Sequence, residues 1–130
     1  MVGFCKNVTL VSCIGLANDY EGFIAKNLKE NIKTHFFTVE GVPTVVKRRF
    51  VEPEFLVKLF EICYFNQTNF LSEKVEKQIC QYLDSNLNKF DMVMVNDFGH
   101  GLITDKIVKL LVKKAKFLAI NVQTNSANLG

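Results

Sequence analysis

Between residues 72 and 122 the spacing of apolar side chains switches back and forth between two periods, and this restricts the fold more than any other feature of the 130-residue chain. In "LSEKVEKQICQYLDSNLNKF", Val75, Ile79, Leu83 and Leu87 recur every four residues and so share one helical face. Ser72 is the natural N-cap, and Glu73 and Glu76 lie at the positive end of the helix dipole. "DMVMV" follows as the continuous apolar run of a parallel strand. After the polar stretch "NDFGHG", Thr104 or Asp105 caps a second helix, "DKIVKLLVKKAK", whose closing lysines suit the dipole. "FLAINV" is the next strand. Parallel strands need a crossover, usually a helix, so this order implies βαβ units rather than hairpins.

The first half repeats the order. "NVTLVSCI" (7–14) is a β-branched strand that stops at Gly15. The loop "GLANDYEG" leads into "YEGFIAKNLKEN", with Asp19 as its expected N-cap and Phe23, Ile24 and Leu28 as its apolar face. "KTHFFTVE" (33–40) is a second strand, and Gly41 with Pro43 marks a turn. "TVVKRRFVE" (44–52) has strand propensity but carries Lys47, Arg48 and Arg49 in its middle, which excludes a buried position and favours an edge. Beyond Pro53, "FLVKLFEICYF" (55–65) is a strand or a short helix; periodicity does not choose between them. The expected architecture is α/β, three layers around a mostly parallel sheet, with 44–65 as an appendage.

A chain of this length supports one core. No apolar run approaches the roughly 20 residues a membrane helix needs, so no membrane partner is expected. Met1 to Gly15 has no basic leader or cleavage pattern of the secretory kind, and the expected location is cytoplasmic. Cys5, Cys13, Cys63 and Cys80 form no C-x-x-C pair, which makes them reduced, buried small hydrophobes rather than metal ligands. A net charge of +3 is too mild to call for nucleic acid.

Parallel sheets bind ligands beyond the carboxyl ends of their strands. Three polar loops occupy that position: "GLANDYEG", "NDFGHG" and "QTNSAN". In the second, glycines on both sides of His100 allow positive φ or a close backbone approach, and Asp97 and His100 can meet a hydroxyl or phosphate. The same residues also suit an ordinary strand-to-helix turn. Lys47 and Arg49 can pair with an anionic group or simply solvate an edge, and strand alternation sends Arg48 to the other side. Asn121 and Gln123 can hydrogen-bond sugar or phosphate. No Ser-His-Asp arrangement, metal-ligand cluster or P-loop pattern occurs.

The order of these pieces is more specific than any one of them. A strand ending at Gly15 before "ND..G", a Gly-x-Pro-Thr turn into "VVKRRFV", and a strand ending in "NDFGHG" before a Thr-capped helix resemble the ribokinase-like (PfkB-type) carbohydrate kinases. The nearest branch is the heptose-phosphate kinase domain of bifunctional ADP-heptose synthases, with His100 where that branch has a lysine. The resemblance implies that residues 1–130 are the central part of one kinase domain and that 43–65 form a small β lid which also mediates a homodimer. It further implies a sugar or sugar-phosphate substrate near Asn18, Asp19, Lys47, Arg49, Asp97 and His100, with Asn121 and Gln123 toward the phosphates of ATP and its Mg²⁺. The family's Gly-Gly substrate motif and its late Gly-x-Gly-Asp, which holds the catalytic base and the anion hole, have no counterpart. The only Gly-x-Gly is Gly99-His100-Gly101, followed by Leu102. The 130 residues alone are therefore expected to lack kinase activity. Two other readings stand beside this one: a non-catalytic α/β module that binds a phosphorylated metabolite or mediates assembly, and a basic RNA-binding surface.

Overall fold

A computed structural model describes residues 3–16, 20–64 and 71–123, in two compact units, Met1–Asn66 and Gln67–Gly130. In the first unit β1 (Val8–Gly15) and β2 (Ile32–Val39) are parallel, with Val8 opposite Ile32 and Gly15 opposite Val39. Their carboxyl ends carry the unit's core: Ile14, Val39 and Val42 are buried. Gly15 is required there by a close approach. A Cβ on it would lie 2.2 Å from the Val42 carbonyl oxygen and 2.4 Å from the Thr44 nitrogen. The Gly15 N–H donates to Thr44 Oγ1 at 2.9 Å, which ties the strand end to the Gly41–Thr44 turn. Gly41 makes that turn at φ +75°.

Helix α1 (Glu21–Asn27) between these strands is shorter than its sequence pattern suggests. Tyr20 holds the N-cap position without a side-chain hydrogen bond, and Asp19 lies outside the described residues. Leu28 is already extended, and Phe23 is 66% exposed, so the expected apolar face does not form. Two turns of helix are too short to carry the stripe that a longer pattern would bury.

Strands β3 (Val46–Val51) and β4 (Lys58–Tyr64) form an antiparallel hairpin, which decides the ambiguous 55–65 segment as a strand. Arg49 stands opposite Glu61 and Phe50 opposite Phe60, after which a bulge shifts the register so that Val51 faces Lys58. The cations are exposed as an edge position requires. The hairpin's connection is closed by Glu52, whose carboxylate accepts from the Glu54 and Phe55 N–H groups at 3.1 and 2.8 Å.

The second unit realises the helix, strand, helix, strand order. Helix α2 (Glu73–Asn86) ends in a single 3-10 turn at Leu87–Lys89, followed by β5 (Val93–Asp97), α3 (Asp105–Lys114) and β6 (Leu118–Val122). Strands β5 and β6 are parallel, from Val93 opposite Leu118 to Asp97 opposite Val122. Ser72 Oγ accepts from the Val75 N–H at 3.4 Å. Thr104, not Asp105, caps α3, accepting from the Ile107 N–H at 3.4 Å. Val75, Ile79, Leu87, Val95, Ile107 and Leu111 are buried and form the core.

Two expectations change. The apolar runs of β5 and β6 are partly open rather than covered on both faces: Met94, Ile120 and Val122 are exposed, because a two-stranded sheet leaves its margins uncovered. The four cysteines are free but half-buried. Burial pushes the Cys13 thiol up to about 11, which keeps it protonated and unreactive. No described helix is long and apolar enough to cross a membrane.

Candidate functional site

The carboxyl ends of β5 and β6 bring together Asn96, Asp97, Asn121 and Gln123, three of which the sequence reading singled out. Register alone places Asn96 beside Asn121, and the Asn121 Nδ2 donates to Asn96 Oδ1 at 3.4 Å. The Gln123 N–H donates to the Asp97 carbonyl at 2.9 Å, continuing the strand pairing one residue past β6. Asn96 and Asn121 are exposed, and each amide has more donors and acceptors than their mutual bond uses.

Asp97 has a structural task as well. Its Oδ1 accepts from the Gly99 N–H at 2.8 Å, an Asx-type turn that folds the chain back at the strand end. A carboxylate accepts several hydrogen bonds, so the group keeps capacity for a hydroxyl. Gly99 and Gly101 sit at φ +72° and +79°, the region other residues avoid. His100 is held between them, half-buried. The doubled glycine thus bends "NDFGHG" sharply, and the turn opens onto the amino end of α3.

Lys47 and Arg49 belong to the other unit, on one face of the β3–β4 hairpin, and they are not equivalent. Arg49 Nε pairs with Glu61 Oε2 at 2.8 Å, which neutralises much of what it could offer an anion. The sequence reading overlooked Glu61 because its relevance depends on strand register. Arg48 projects to the opposite face, over the Tyr64 ring at 5.8 Å, where Phe50 and Phe60 stack with centroids 4.4 Å apart. Asn18 and Asp19 lie outside the described residues, as does the part of "QTNSAN" after Gln123.

An open groove of about 420 Å³ between α2 and α3 contains none of the predicted site residues. Two of its charged side chains are paired within the unit: Lys106 with Glu76 at 2.6 Å, and Asp84 with Lys114 at 2.5 Å. Among the described residues no group of three or more His, Cys, Asp or Glu could hold a metal ion.

No family model matches the chain. A bifunctional protein HldE of Campylobacter jejuni subsp. doylei is 28% identical over 112 residues, covering 86% of this chain and 23% of that protein. HldE of Campylobacter jejuni subsp. jejuni is 26% identical over the same length. The chain therefore spans about a quarter of the length of the curated relatives it matches. Among solved structures, a ribokinase from Giardia lamblia superposes with a TM-score of 0.55 over 92% of this chain and 35% of the ribokinase, at 14% identity. The fold is ribokinase-like. The chain carries part of that fold, and the resemblance read from the order of its motifs agrees with both comparisons.

Proposed function

We propose that the chain is the central part of an ATP-dependent sugar or sugar-phosphate kinase, of the kind that serves nucleotide-activated heptose synthesis. The observation that carries this reading is the Asp97 to Gly101 turn. Two positive-φ glycines and an Asp-anchored bend stand at the carboxyl end of a parallel strand, beside the amides of Asn96 and Asn121. Asp97 and His100 face the sugar, Lys47 binds its phosphate with Arg49 as a weaker partner, and Asn18 and Asp19 complete the substrate side. Asn121 and Gln123 serve the nucleotide phosphates. Mg²⁺ arrives with those phosphates, which suits an ion that keeps its waters and needs few protein ligands.

In phosphoryl transfer, positioning and charge neutralisation do most of the work, and these residues supply both. The base for the accepting hydroxyl is not among them. The hairpin acts as the lid over the sugar. Its other face, with Phe50, Phe60, Ile62 and Tyr64 exposed, suits contact with a second copy of the chain. A cytoplasmic location follows from the ATP and sugar-phosphate substrates.

The test has two arms on the 130-residue chain. With ATP, Mg²⁺ and a heptose phosphate, no ADP should form above background. In a titration followed by amide NMR, the heptose phosphate should shift the Gly99 and Gly101 signals, and D97N should abolish the response. Unmoved glycine signals in the wild-type chain would remove the sugar assignment. Binding without catalysis by the longer protein would favour the non-catalytic module instead.

A further inference from the structure

The Thr44 hydroxyl makes two bonds to a single residue. It accepts from the Gly15 N–H at 2.9 Å and donates to the Gly15 carbonyl at 3.4 Å. The next residue, Leu16, gives its N–H to the Val39 carbonyl at 3.3 Å. Consecutive residues of a strand send their backbone groups to opposite edges, so those of Gly15 face away from β2. On that open edge one side chain does what the backbone of a third strand would do. Gly15 is buried, and a buried backbone group without a partner costs about as much as a lost hydrogen bond. A threonine hydroxyl suits the task because it is donor and acceptor at once, whereas valine has the same shape and neither capacity.

Two segments leave this junction. The chain after Gly15 runs into the loop that carries Asn18 and Asp19, and the chain after Thr44 enters β3, which carries Lys47 and Arg49. The origin of both is stiff: Gly41 sets the turn at φ +75°, Pro43 has a locked φ, and Val42 is buried. Only Val45 separates Thr44 from Val46, the first paired residue of the hairpin. No ladder pairing joins β3–β4 to β1–β2, which are separate sheets. The bearing of the hairpin is therefore set where the chain leaves Thr44.

We infer that Thr44 is a positioning residue for the lid: its hydroxyl locks the start of the β3–β4 hairpin to the end of β1, and so holds Lys47 at a fixed distance from the loop after Gly15. The consequence for substrate rests on the function proposed above; the lock itself does not. Such placement matters in phosphoryl transfer, where a displacement of about 1 Å can cost about a hundredfold in rate.

The test uses the 130-residue chain. T44V should speed amide exchange at Gly15 about tenfold, the loss expected of a buried donor left without its acceptor, and T44S, which keeps the hydroxyl, should stay near the wild-type rate. Residual dipolar couplings read the positioning itself. In the wild type the amides of β1–β2 and β3–β4 should fit one alignment; in T44V the hairpin should lose that shared order while the pairing within each sheet persists. A threonine that only stabilised β1 would leave the shared alignment intact. Unchanged couplings in T44V would overturn the proposal, and so would T44S behaving like T44V, or a wild type whose two strand pairs need separate alignments. Should T44V fail to fold, T44S and T44C decide, since a thiol is a weak donor and a weak acceptor. A serine variant with wild-type couplings beside a cysteine variant without them supports the lock, and equal couplings overturn it. If T44V frees the hairpin while a heptose phosphate shifts no Lys47 or Gly99 signal in the wild type, the proposed function fails and the lock stands. Heptose phosphate binding with couplings unmoved by T44V gives the reverse.

Discussion

Helices α1 and α3 each follow the carboxyl end of a parallel strand, and there the likeness stops. Helix α1 has seven residues, no side-chain cap and no buried side chain. Helix α3 has ten, a threonine cap, Asp105 in its first turn, Lys113 and Lys114 in its last, and buries Ile107 and Leu111. Short helices are marginal in water whatever their propensity. The difference shows what makes a crossover helix firm: a core face and satisfied ends. Helix α1 leaves its strand pair to be held by Gly15, Val39, Val42 and Thr44, at the turn after β2 rather than by the helix itself.

That contrast can be broken or sharpened by substitution. The largest effect is expected from I107A, which empties a site only 2% exposed; denaturant unfolding of the second unit should show a loss of about 3 kcal/mol. G15A forces a Cβ against backbone that cannot yield easily. Its cost should be about 2 kcal/mol, with faster exchange confined to β1, β2 and the 41–44 turn. S72A removes the cap of α2 and should cost about 1 kcal/mol by the same denaturation assay. F23A, on the exposed face of α1, should stay within about 0.5 kcal/mol of the wild type. A large loss in F23A would mean that α1 has a packing partner beyond the described contacts, and the contrast would fail.

Much of this was legible in the sequence because its causes are local. Ser72 and Thr104 announce helix starts through bonds made three residues on. Gly99 and Gly101 flag positive φ by having no Cβ. Three adjacent cations are incompatible with a buried β3, and the strand is exposed from Lys47 to Val51. Helix α1 was over-read: Phe23, Ile24 and Leu28 have helical spacing, yet spacing does not say whether a surface waits to receive them. The same limit applied to β5 and β6, whose apolar runs signal a wish for cover and not its presence. At the candidate site, Asp97, Asn121 and Gln123 could be named from strand ends, whereas Asn96 as the neighbour of Asn121 needed the register.

The sequence by itself determined the kind and order of the elements, the parallel character of the βαβ units and the polar strand end at 96–101, since hydrophobic period, capping and glycine freedom act over a few residues. Tertiary structure alone decided which charges are spent and which remain available. Arg49 is neutralised by Glu61 twelve residues away, and Lys106 is held by Glu76 from the preceding helix. Gly15 is pressed against the turn at Val42 to Thr44. Such pairings arise when folding brings distant backbone into contact, and no local pattern records which partner arrives.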